Sequence, residues 1–184
     1  GAARGPAGPC TVCHGKHEPD PGRPGGRAVA GGVVGLCGSC HPVMRAVFER
    51  SAHGLALQRN VKGAPNCVGC HRRGIVSAVN SGDRLRSKIA QERVCLACHL
   101  ENAARTNGTS AGSAFFASYE KSVHGLALLR GNTNAATCID CHGSHEMRNG
   151  RDPASMTSKG HVSRTCAKCH PAVAAAYEAM EQIK

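Results

Sequence analysis

The sequence predicts short α-helices joined by irregular coil, with no substantial β-sheet, wrapped around something other than a side-chain core. Three observations predict this. All 12 cysteines fall in C-x-x-C pairs, and every pair is followed directly by histidine. Aromatic residues make up 3% of the 184-residue chain, which has no tryptophan and 23 glycines. Apolar residues recur at helical spacing only in short runs, and no strand pairs with turn signals are evident.

The cysteine motifs are CTVCH (10–14), CGSCH (37–41), CVGCH (67–71), CLACH (95–99), CIDCH (138–142) and CAKCH (166–170). Six histidine followers arising by accident has a probability on the order of a few in a hundred million, so the spacing rule applies with force. C-x-x-C-H is the attachment signature of c-type haem: two thiols add to the porphyrin vinyl groups and the histidine turns onto the iron. Cys10, Cys13, Cys37, Cys40, Cys67, Cys70, Cys95, Cys98, Cys138, Cys141, Cys166 and Cys169 are therefore expected to hold six covalent haem c groups. His14, His41, His71, His99, His142 and His170 fill the proximal iron positions. Three Cys₄ zinc ribbons would use the cysteines but give no reason for the histidines. A disulfide scaffold fits less well, because adjacent C-x-x-C pairs are redox motifs rather than staples.

Six haems leave about 31 residues each in a chain of 184. So little protein, with so few aromatics, buries too little apolar surface to offset its chain entropy. The expected fold is mostly coil with short helices around a chain of six covalent haems, and an apoprotein that is largely unfolded. Covalent haem implies maturation outside the cytoplasm. The longest apolar stretch, AVAGGVVGLC (28–37), is far short of a transmembrane span. The chain thus reads as a mature exported protein, extracellular or at the cell surface rather than periplasmic. Its formal charge of +11 invites a nucleic-acid reading. Up to 12 propionates on six haems would bring it to about −1 when reduced and about +5 when oxidised, so Lys and Arg read as propionate partners and solvated surface. A basic docking patch for an acidic redox partner stays open, and nucleic acid is not expected.

The sites recur in pairs: Cys10 to Cys37 spans 27 residues, and both Cys67 to Cys95 and Cys138 to Cys166 span 28. FERSAHGLAL (48–57) matches YEKSVHGLAL (119–128), each with its histidine 14 residues before the next haem cysteine. HPVMRAVFERSAH (41–53) aligns without gaps on HPAVAAAYEAMEQ (170–182), which puts Gln182 where His53 and His124 stand. The chain is one domain, 1–184, of di-haem repeats at 10–66, 67–137 and, in part, 138–184. Helices are expected after the second haem of each unit (Val43–Val47–Phe48; Val173–Ala176–Tyr177–Met180) and over Asp83 to Leu100. The rest reads as loop, including the polar insertion NAARTNGTSAGSA (102–114).

Six irons have 12 axial positions, and five histidines remain beyond the proximal six: His17, His53, His124, His145 and His161. His53 and His124 share S-x-H-G-L-A-L, and His17 and His145 share C-H-G-x-H. The thioethers and His142 hold the backbone to one face of their own haem. His145, three residues on, stays on that face and can serve only a neighbouring iron; His17 follows the same logic. Gly15 and Gly143 let backbone approach a porphyrin. The middle unit breaks the pattern with CHRRG, and His161 is a candidate for the resulting gap. Met44, Met147, Met156 and Met180, an amine, a water or an open iron compete for the position left over.

C-x-x-C-H-G-x-H, a second C-x-x-C-H, then Y-x-x-S-x-H-G: over nearly the whole chain these phrases resemble the exported multihaem c-type cytochromes. That group includes soluble electron shuttles, electron-donating subunits and subunits of extracellular filaments. The resemblance implies stacked haem pairs alternating with T-shaped junctions and, in filaments, distal ligands that cross between subunits. Gln182 departs from the pattern at the last haem.

The expected function is electron transfer rather than enzymatic catalysis: bis-histidine irons are saturated and bind no substrate. The partners are then redox donor and acceptor proteins or an extracellular acceptor, with a homopolymer joined by inter-subunit histidine ligation among the forms considered. The alternative is a reductase of a small oxyanion or peroxide that uses one haem without a distal histidine.

Overall fold

The computed structural model describes residues 30–71, 73–100 and 113–172, together with 175, 176 and 179. Among the described residues there are ten helices and no strand. The first repeat contributes α1 (Ala30–Gly38), α2 (Pro42–Glu49) and α3 (Ala52–Gln58). The second contributes α4 (Cys67–Cys70), α5 (Arg73–Val79), α6 (Arg84–His99), α7 (Ser113–Glu120) and α8 (Val123–Leu129). The third contributes α9 (Cys138–His142) and α10 (Val162–Ala167), and the described residues just after His170 are helical.

Two of the expected helices, α2 and α6, stand where the sequence puts them. Pro at the first position starts α2. Asp83 caps α6 by accepting the Arg86 N–H at 2.9 Å. Several segments read as loop are helical instead, namely α1, α3, α5, α8 and the start of α7 at Ser113. α1 carries four glycines in nine residues, AGGVVGLCG. Its propensity is poor, but it packs on α2, α3 and α4 and buries Val34, so tertiary packing overrides local preference. The rest of the 102–114 insertion lies outside the described residues.

The phrase S-x-H-G is a helix–corner–helix. The Ser51 hydroxyl accepts the Gly54 N–H at 3.0 Å, and Ser122 does the same for Gly125 at 3.1 Å. Each serine N–H also bonds back to the aromatic residue's carbonyl, Phe48 or Tyr119, at 2.9 Å. A Cβ on Gly54 or Gly125 would overlap that same carbonyl oxygen. Both following helices end in a left-handed residue, Asn60 (φ 54°) and Gly131 (φ 87°), the residues that tolerate this C-cap. The repeat seen in the letters is thus a repeat in hydrogen bonds.

Longer ties join distant segments, both within the second unit and between units. The Ala52 N–H donates to the Met147 carbonyl at 2.7 Å, and the Tyr119 hydroxyl to the Ala136 carbonyl at 2.8 Å. Lys88 on α6 bonds the Ala135 carbonyl at 2.7 Å and Asp140 at 3.1 Å. The side-chain core is thin. Among the described residues only Val34, Ala78, Leu96, Leu128 and Ala135 are buried apolar positions, matched by five buried polar ones. Val43, Val123 and Leu129 stay exposed. No described helix is long and apolar enough to cross a membrane.

Candidate functional site: thiol turns and opposed imidazoles

Each described C-x-x-C-H closes one helical turn. The histidine N–H reaches the first cysteine's carbonyl at 2.9 Å for His41 and 2.8 Å for both His71 and His170. The other two, 95–99 and 138–142, lie within α6 and α9. Residues at i, i+3 and i+4 share a helix face, so two thiols and an imidazole leave each turn together. The turns are capped: Asn66 accepts the Gly69 N–H at 3.3 Å, and Asp140 accepts the Thr137 N–H at 2.7 Å. Burial pushes the Asp140 carboxyl up, but the Thr137 N–H, Lys88 and the Thr137 hydroxyl outweigh it and hold it below the usual carboxylate range. Gly143 ends the α9 turn at φ 75°, so its glycine answers a backbone need before any question of close approach.

No disulfide joins any of the ten described cysteines. Thiols of successive turns interact: Cys37 with Cys67, Cys70 with Cys95, Cys95 with Cys138, and Cys141 with Cys166. The attachment turns therefore follow one another in space in their sequence order. The Cys95 thiol is pushed up by its Cys138 partner and then by burial; burial raises Cys67 and Cys141.

Three imidazole pairs form across long sequence distances. His53 lies opposite His99 with ring centroids 5.9 Å apart, and His124 opposite His170 at 6.0 Å. His71 and His145 stack with planes 10° apart, centroids 5.7 Å apart and Nε2 atoms facing at 3.4 Å. Each pair joins a C-x-x-C-H histidine to one from a recurring phrase. His145 lies against His71, not against His142 three residues before it. His124 faces His170, so glutamine at 182 takes nothing from that site. Burial lowers the pKa of His53, His71, His99 and His142, helped in the first three by neighbouring imidazoles. They are held neutral, the form that offers a lone pair to a metal.

The donor set tests what would fit. Among the described residues no three His, Cys, Asp or Glu side chains gather around a common point. Two opposed nitrogens suit a metal whose other ligands come from elsewhere. His99 is packed between His53 and Phe116, at 5.9 and 4.4 Å, and its buried Nδ1 has no hydrogen-bond partner.

No described ring stacks on His41, His142 or His161. His161 caps α10, with Nδ1 3.1 Å from the Ser158 hydroxyl. Cys10, Cys13, His14 and His17 lie outside the described residues, as does Met180. Met156 lines a cavity with Ile139 and Asp140, on the flank of the α9 turn away from Cys138, Cys141 and His142. The Met147 carbonyl holds Ala52, and the Met44 side chain is exposed. Sequence reasoning missed Asp140, Lys88, Tyr119 and Ser158 as supports of these sites; only the T-x-x-D capping pattern before Cys141 signalled any of them. No protein-family model matches the chain, and neither curated proteins nor solved structures include a match.

Proposed function

We propose that this chain is an exported electron-transfer protein with six c-type haems, most of them held between two histidines. One observation carries the reading: His53–His99, His71–His145 and His124–His170 each set an attachment-turn histidine against a second imidazole. Pairing without a third protein donor is what a metal in a macrocycle asks of its protein. When bound, such groups would supply one-electron iron chemistry, with His53, His71, His99, His124, His145 and His170 as the described residues that would hold them.

The chain's own part is to anchor, orient and space them. The cysteine pairs of each turn anchor, and the proximal histidines His14, His41, His71, His99, His142 and His170 orient. His53, His124 and His145 would supply the second imidazole and keep small molecules away. The interacting thiols at 37/67, 70/95, 95/138 and 141/166 line the turns up in sequence order, which supports an end-to-end path. A register also emerges: the C-H-G-x-H histidine of one unit serves the first turn of the unit before it. Carried over to a second copy, that register would offer its His17 to His142, which supports a homopolymer over a monomeric shuttle.

The second reading, a reductase with an open iron, rests on His41 and His142, which face no described imidazole. Its acceptor would be a small oxyanion or peroxide.

The test is intact mass and metal content of protein matured in a host that attaches haem. Six haem additions and six irons per chain are expected, with a low-spin ferric spectrum. A bare polypeptide mass, or zinc in place of iron, sinks the proposal; a large high-spin fraction that binds nitrite shifts it to the reductase.

A further inference from the structure

His161 is the one distal candidate without a counterpart in the other repeats: Ala90 and Gly32 occupy its register before Cys95 and Cys37. It sits at the end of a loop, 148–161, built from side-chain-to-backbone bonds. Within that loop Ser158 is 5% exposed. Its hydroxyl has one hydrogen, and the Pro153 carbonyl, an acceptor only, takes it at 3.1 Å. The same oxygen lies 3.1 Å from His161 Nδ1 and so meets it as an acceptor. Nδ1 therefore keeps its hydrogen, and the lone pair of the neutral ring is on Nε2. His145 divides its nitrogens in the same way: Nδ1 lies 3.2 Å from the Ser144 hydroxyl while Nε2 faces His71.

We propose that His161 is a distal iron ligand through Nε2 and that Ser158 is its positioning residue, fixing tautomer and ring orientation. This rests on the haem reading above. Outer partners of this kind change ligand affinity by about 10- to 100-fold. The Ser158–His161 contact is part-buried, whereas the one between Ser144 and His145 is exposed.

Cyanide titration of the oxidised holoprotein tests it, after iron and mass have established six haems per chain. In H161A one haem is expected to be open and to bind cyanide at once. In S158A one haem equivalent is expected to bind cyanide at roughly 10- to 100-fold lower concentration than in the wild type, with the other five unmoved. S155A is the control. Ser155 is equally buried in the same loop and bonds Thr157 and the Arg148 carbonyl, but no imidazole. It should leave the titration unchanged. If H161A opens no haem, His161 is not a ligand; if S158A and S155A behave alike, Ser158 is only a loop residue. A chain without six haems overturns the functional reading itself, which the mass reveals before any titration.

Discussion

His124 faces His170 across 46 residues of sequence with ring centroids 6.0 Å apart, and His53 faces His99 across the same 46 residues at 5.9 Å. The two pairs are one arrangement made twice. The serine-capped corner that carries the distal histidine is the same in both units, and so is the helical turn that carries its partner.

If each pair closes one iron, H124A opens one haem of six and H53A a different one. Electron paramagnetic resonance of the oxidised protein should show about one-sixth of the iron converted to high spin in each single variant. The double variant should show about one-third. Unchanged low-spin iron in H124A would falsify the pairing with His170.

Gly54 and Gly125 are required by the carbonyl oxygens of Phe48 and Tyr119, which a Cβ would overlap. G54A and G125A are each expected to destabilise the holoprotein by roughly 1–3 kcal/mol or more. Thermal melts followed in the visible absorption check this. Gly35, with nothing near its Cβ position, is the contrast: G35A should leave the melt unchanged or raise it slightly.

Removing an N-cap is a milder injury. S51A and S122A each leave a helix-start N–H without its acceptor, at a cost of about 1 kcal/mol. Ser51 is almost wholly buried, so S51A should sit at the upper end of the range. Guanidinium denaturation midpoints of the two variants measure the difference.

Asp152 accepts from Arg148 at 2.8 Å and from the Ala154 N–H at 2.8 Å, which together hold its carboxyl below the usual carboxylate range. A depressed carboxyl stabilises the fold above its unfolded value, and that contribution fades as pH falls through the folded one. The loop at 148–161 should therefore loosen in acid below about pH 4. In D152N this acid-dependent step disappears, as hydrogen exchange of the loop amides at graded pH will report. The pair is exposed, so added salt should shrink the effect.

Protein made without haem attachment is expected to lack a cooperative melt. Five small or medium apolar side chains are too few to order the described residues. Near-ultraviolet dichroism and amide dispersion of the unmatured chain should look unfolded; a sharp thermal transition would mean the side chains suffice.

The amino-acid sequence alone specified the C-x-x-C-H turns, because the motif is a one-turn device whose meaning is local. It also specified the repeat, the helix from 84 to 99 with its Asp83 cap, and the one after His41, where Pro42 and the apolar period agree. It did not reveal that AGGVVGLCG is helical, since that depends on α2, α3 and α4 packing around Val34. Nor did it say which imidazole meets which. The motif at His145 implied a neighbouring site, and only the fold chose His71 over every other turn. Gln182 looked like a gap at His170 until the fold set His124 there: the histidine of each described corner lies against a turn of the next unit. Pairing of this kind is decided by contacts between residues 46 or 74 positions apart. A capping residue or a helical period acts within one or two turns, and carries no information about so distant a partner.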